Sequence, residues 1–131
     1  MQKVVVDTNV LVSALISPFG SPARILDLMI IKKLQICYDS RILTEYRDVL
    51  LRPKFNFNDR QVKTIIENVM ATGFSMIAGQ TNEKMIDEDD RKFYDVYKSC
   101  DCYLITGNLK HFPVESGILS PADFLKEFEE K

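Results

Sequence analysis

The stretch that decides the fold is Val4-Val5-Val6-Asp7-Thr8-Asn9. Three consecutive β-branched residues closed by a short acid predict a strand buried on both faces. Such strands belong to parallel sheets covered by helices, and the rest of the chain supplies the alternation that a parallel sheet needs. Ser21 and Pro22 give a helix start, and Ile25, Leu28, Met29 and Lys32 follow at helical spacing to about residue 33. Residues 34–38 read as a second strand. Ser40 is placed to cap a helix with Ile42, Tyr46, Val49 and Leu50 as its apolar stripe, and Pro53 follows its end. Asn58 with Gln61 makes a capping-box pattern before Val62, Ile65, Ile66, Val69 and Met70, and Gly73 is the expected stop.

Residues 74–78 read as a third strand and residues 79–88 as a polar loop without a period. Asp89 or Asp90 opens a helix with Phe93, Val96, Tyr97 and Cys100 on one face. Residues 102–106 form a fourth strand and Ile118-Leu119 a short fifth. Ser120-Pro121-Ala122-Asp123 carries the capping signature of a last helix containing Phe124, Leu125 and Phe128. The expectation is a three-layer α/β/α sandwich around a mainly parallel central sheet of four to five strands, in one domain covering 1–131.

The bulk numbers agree. With 131 residues, 46% hydrophobic and 27% charged, the chain has the composition of a globular protein and not of a disordered one. No apolar run reaches the ~20 residues that span a bilayer, and no basic-then-apolar leader opens the chain, so a cytoplasmic protein is expected. Cys37, Cys100 and Cys102 form neither an even framework nor a C-x-x-C pair, and with His111 as the single histidine they cannot easily build a zinc site. Reduced thiols are the expectation. The net charge of −2 lacks the basic surplus of most phosphate-tracking proteins, an objection softened if some acids are gathered around a cation.

In open parallel sheets, ligands collect outside the carboxyl ends of the strands. Asp7-Thr8-Asn9 after the first strand and Thr106-Gly107-Asn108 after the fourth put short polar residues at two such ends. Asp7 directly follows a buried run, where a desolvated charge needs a partner, although a loop-starting Asp that bonds its own backbone is the competing reading. Glu45 lies on the flank of an apolar stripe. An ion pair with Arg41 or Arg52 would explain it as well as a ligand role. Asp87-Glu88-Asp89-Asp90 stands at a helix start, where one or two acids suit the dipole but four repel one another. Spacing does not choose between Asp89 and Asp90. Three acids on separate elements, converging at one sheet edge, would suit Mg2+ or Mn2+ and would activate water for attack on a phosphodiester.

The segment from Val4 to Leu15 resembles the start of a PIN domain, of the group labelled toxin components of toxin–antitoxin pairs. Asp87 to Phe93, then Tyr103-Leu104-Ile105-Thr106-Gly107-Asn108-Leu109-Lys110-His111-Phe112-Pro113, resembles that group's second signature, and Leu119 to Leu125 its ending. The resemblance implies Asp7, Glu45 and Asp90 as catalytic, metal-binding acids, with Thr8, Asn9, Asp89, Thr106 and Asn108 in support. It also implies single-stranded RNA as substrate, cleaved by a metal-activated water, and an antitoxin protein and a second copy of the chain as partners. Asn108 stands where many members carry a fourth acid, which weakens the case for a second metal. Arg91, Lys92, Lys110 and His111 are candidates for RNA contacts by their place beside the acids.

Three other readings compete with this one. An aspartyl-phosphate phosphatase of the haloacid dehalogenase type would need an acid where Asn9 stands, and its motifs would come in the reverse order. A non-catalytic PIN-like module that binds RNA or protein keeps the fold without the chemistry. A dinucleotide binder lacks its glycine-rich turn, since Gly20 is isolated.

Overall fold

In the computed structural model, which describes residues 1–129, the first strand β1 runs Gln2–Val6, and Val4, Val5 and Val6 have no exposed surface at all. It is followed by α1 (Thr8–Ile16), α2 (Ser21–Ile30), β2 (Leu34–Tyr38), α3 (Ser40–Leu50), α4 (Asp59–Thr72), β3 (Phe74–Ser75), α5 (Arg91–Lys98), β4 (Tyr103–Ile105), β5 (Ile118–Leu119) and α6 (Pro121–Glu129). The described strands form one sheet in the order β3-β2-β1-β4-β5, and every neighbouring pair is parallel.

The order explains where the polar residues end up. The chain steps outward from β1 to β2 and β3, then returns across β1 to place β4 on its other side, and the direction of travel reverses between β1 and β4. Crossovers of one hand therefore send the early helices to one face of the sheet and α5 to the other. Accordingly α2 packs on β2 and beside α6, while α5 packs across β1, β2 and β4. The result is the three-layer α/β/α sandwich, and the parallel character is complete. Val6 pairs with Ile105, so Asp7 and Thr106 leave the sheet side by side at the reversal.

Local details depart from the sequence reading in five places. Helix α1 was not foreseen, because Thr8, Asn9, Val10 and Val12 are weak helix formers. Burial of Thr8, Val10, Leu11 and Ala14 supplies what propensity does not. Helix α2 ends at Ile30 instead of running to residue 33, and Lys32 takes a positive φ of 64° that no helix residue adopts. Helix α3 is capped by Asp39, whose carboxylate accepts from the Ile42 N–H at 3.1 Å, so Ser40 is the first helical residue and not the cap. Likewise Gly20, not Ser21, precedes α2. Strand β3 closes after Ser75, with only Met76 N–H still bonded to Tyr38 O.

Gly73 earns its position by close approach rather than by conformation. A Cβ there would lie 2.3 Å from the Val69 carbonyl oxygen and 2.8 Å from that of Ile36. The Asn58 side chain caps α4 by accepting from the N–H groups of Arg60 and Gln61, and Ser120 Oγ accepts from Asp123 N–H at the head of α6.

Candidate active site

Asp7 is built from the sheet outward. Its N–H continues the β1–β4 ladder by donating to Ile105 O at 2.9 Å, which leaves its side chain just above the sheet's carboxyl edge. Only 6% of the residue is exposed. The Thr106 hydroxyl, itself fully buried, donates to Asp7 Oδ2 at 2.8 Å and accepts from Asn108 N–H at 3.0 Å. The second strand end is tied to the first from the other side, where Gly107 N–H donates to Asn9 Oδ1 at 3.2 Å. Thus the two polar triplets seen in the sequence form one platform at the sheet's switch point, where open α/β sheets bind ligands.

Burial pushes the Asp7 carboxyl up to about 6 from an ordinary 3.8. The Thr106 hydrogen bond opposes that rise, and the neighbouring charges of Asp90 and Glu45 add to it. The three acids therefore share one electrostatic environment although they come from β1, α3 and the turn before α5. Asp90 is also held above the usual carboxylate range, first by burial and then by Asp87 and Glu45, against the pull of His111.

Each outer acid already has a partner. Thr8 Oγ1 donates to Glu45 Oε2 in a short hydrogen bond, and Lys92 Nζ lies 3.0 Å from Glu45 Oε1 while also donating to Asp89 O. The ion pair expected of Glu45 with Arg41 or Arg52 does not form. Arg41 instead bridges Asp39 at 2.7 Å and Asp95 at 3.2 Å. His111 Nδ1 pairs with Asp90 Oδ2 at 3.0 Å. Among the described residues, no three His, Cys, Asp or Glu side chains stand together in metal-ligand geometry.

The four consecutive acids divide their labour in a way that spacing could not reveal. Asp87 caps the turn by accepting from Asp89 N–H, Glu88 pairs with Arg91 at 2.6 Å, Asp89 points to solvent, and Asp90 turns inward to the site. Arg91 is turned into the preceding loop, where it donates to the carbonyls of Thr81 and Glu83. Lys110 and Asn108 are exposed beside the platform.

Two supporting groups escaped the sequence reading. Tyr46 is fully buried, and its hydroxyl donates to Val6 O, directly below Asp7. A tyrosine inside an apolar stripe needs such a partner, and its place next to Glu45 was the available signal. Asp95 is 1% exposed and accepts from both the N–H and the hydroxyl of Thr81 as well as from Arg41. It thereby fastens the 79–88 loop and the start of α3 to α5. Burial pushes its carboxyl up, but these hydrogen bonds outweigh it and leave it below the usual range.

A parallel α/β sheet with carboxylates near its switch point is the architecture of a ligand-binding α/β protein. The chain belongs to the PIN domain family, whose model matches residues 3–110. It is also similar to an uncharacterised protein of Methanocaldococcus jannaschii, at 33% identity over 97% of this chain and 92% of that one. No solved structure gives a significant match. PIN domains are in general nucleases and typically use divalent metals, so the fold is of nuclease type. No described helix is long and apolar enough to cross a membrane.

Proposed function

We propose that this chain, as a single domain, is a metal-dependent endoribonuclease acting on single-stranded RNA, with Asp7, Glu45 and Asp90 holding one Mg2+ or Mn2+. The observation that carries the reading is Asp7, a buried carboxylate at the switch point held at about 6 by burial and made harder to ionise by two more acids. A scaffold gains nothing from this arrangement, because a buried, mutually repelling set of charges destabilises the empty protein. A cation reverses the penalty.

The donor set fits a hard divalent ion: carboxylate oxygens, with no sulfur and no second histidine nearby. Lys92 and His111 now hold Glu45 and Asp90, and both acids would exchange these partners for the metal. A bound divalent ion would supply Lewis acidity, stabilising charge that develops on a phosphodiester and making water more acidic. The remaining work falls to the chain. Thr106 orients Asp7, and Thr8 holds Glu45 toward it. Lys92, once released from Glu45, and exposed Lys110 would meet backbone phosphates. Arg91 contributes by fixing the loop.

One observation favours a second reading. The Lys92 ammonium already balances Glu45, and neutral Asn108 occupies the position of a fourth acid. A PIN-like module that binds RNA without cutting it would look the same. Further features of the proposal are a cytoplasmic location and a role as the toxin of a toxin–antitoxin pair, with an antitoxin and a second copy as partners. The open groove of about 600 Å³ between α3 and α4, lined by Leu51, Val62, Ile66 and Met70 among charged neighbours, supports a protein partner.

Calorimetric titration of Mn2+ tests the site. The wild type should bind one ion, and Asp7→Asn, Glu45→Gln and Asp90→Asn should each bind it at least tenfold more weakly. Unchanged affinity in all three would remove the metal from this edge.

A further inference from the structure

Away from the acids, the three thiols converge. Cys37 lies in β2 with no exposed surface, and its Sγ is 3.4 Å from Sγ of Cys100, which lies just beyond the end of α5. Cys100 is partly exposed and borders a shallow depression of about 240 Å³ lined also by Tyr97, Lys98, Asp101 and Cys102. One member of the pair is therefore partly open to solvent and the other is buried. We propose that Cys37 and Cys100 form a dithiol modification site, oxidised by hydroperoxides to a disulfide that joins β2 to the end of α5.

The roles follow from access. Cys100 gives up its proton and attacks one oxygen of the hydroperoxide; the O–O bond breaks, the leaving alkoxide takes up that proton and departs as the alcohol, and Cys100 becomes a sulfenic acid. The Cys37 sulfur then attacks the Cys100 sulfur, the S–O bond breaks, and the oxygen departs as water with the Cys37 proton. The peroxide thus takes two electrons from the two thiols. A disulfide bond is about 2.05 Å long, so the sulfurs close by a little over 1 Å, a movement open to a residue beyond a helix end.

The surroundings suit Cys37 as the second attacker. Hydrogen bonds from Cys102 first, and from Cys100, with the charge of Lys3, outweigh burial and bring its thiol down to about 7. Burial first, and then the hydrogen bond and charge of Cys37, push the Cys100 thiol up, so Cys100 is chosen as the first attacker by its solvent access and not by its acidity. Cys102 also leans on Cys37, while its own Sγ donates to the Tyr97 carbonyl at 3.8 Å.

The test uses the reduced full chain exposed to hydrogen peroxide, then denatured, alkylated and mapped by mass spectrometry. Of three alkylatable thiols, one should remain, on Cys102. A Cys37–Cys100 linked peptide should appear and vanish with dithiothreitol. Cys102→Ser should form the same link, and Cys100→Ser should form none within the chain. Both substitutions fall at partly exposed positions. Over-oxidation of Cys100 with Cys37 still reduced, or a link through Cys102 or between chains, would overturn the proposal.

Discussion

Replacing Asp7 with Asn should stabilise the metal-free protein, and do so in a pH-dependent way. The structure sets the size. Unfolded, the carboxyl titrates near 3.8, whereas burial and the charges of Asp90 and Glu45 hold it at about 6 in the fold. Below 3.8 it is protonated in both states and imposes no penalty. As pH rises, the unfolded chain ionises first, and folding loses stability until the folded carboxyl also ionises. At 1.36 kcal/mol per pH unit, that window corresponds to about 3 kcal/mol lost above pH 6. Asn removes the titration but keeps an oxygen to accept from Thr106. Urea unfolding of both proteins in a chelator should therefore show Asp7→Asn gaining about 3 kcal/mol relative to wild type between about pH 4 and about pH 8. Saturating Mn2+ should erase the advantage, because only the wild type gains binding free energy. A stability difference independent of pH would refute the claim that Asp7 is a strained, desolvated acid.

Other consequences are equally accessible. Asp90→Asn should weaken Mn2+ binding at least tenfold, whereas Asp89→Asn should leave it unchanged, since Asp89 faces solvent; calorimetry of the two variants distinguishes them. Asp87→Ala should cost about 1 kcal/mol of stability as a lost cap, read from denaturant midpoints. If Lys110 meets RNA phosphates, Lys110→Ala should reduce the slope of log affinity against log salt by about one. Gly73→Ala should destabilise by about 3 kcal/mol, because its methyl meets two backbone carbonyls that cannot move independently; an unchanged melting curve would contradict that packing.

The sheet was legible because its signals are local and repeated. The valine run of β1, the 34–38 strand and the caps at Asn58 and Ser120 state their structure within a few residues. Helix α1 was not legible, since its residues favour extended backbone and become helical only by burying Leu11 and Ala14 under the sheet's neighbours. The acids were legible as candidates and not as a constellation. Asp7 and Thr106 stand 99 positions apart, and their hydrogen bond depends on β4 pairing with β1. The choice of Asp90 over Asp89 depends on a turn capped by Asp87, which spacing cannot resolve. The partners of Glu45 were likewise hidden, because Lys92 reaches it from a different helix while Arg41, four residues away, turns to Asp39 and Asp95.

The most direct test of the central claim is cleavage of an end-labelled single-stranded RNA by the purified chain, run with Mn2+, with Mg2+ and with EDTA, beside Asp7→Asn under the same conditions. The account predicts discrete internal cuts by the wild type with either metal, none in EDTA, and loss of cutting by at least two orders of magnitude in the variant. Cutting that survives EDTA, or a variant as active as wild type, would contradict it. Binding of the RNA without any cleavage would instead establish the non-catalytic module.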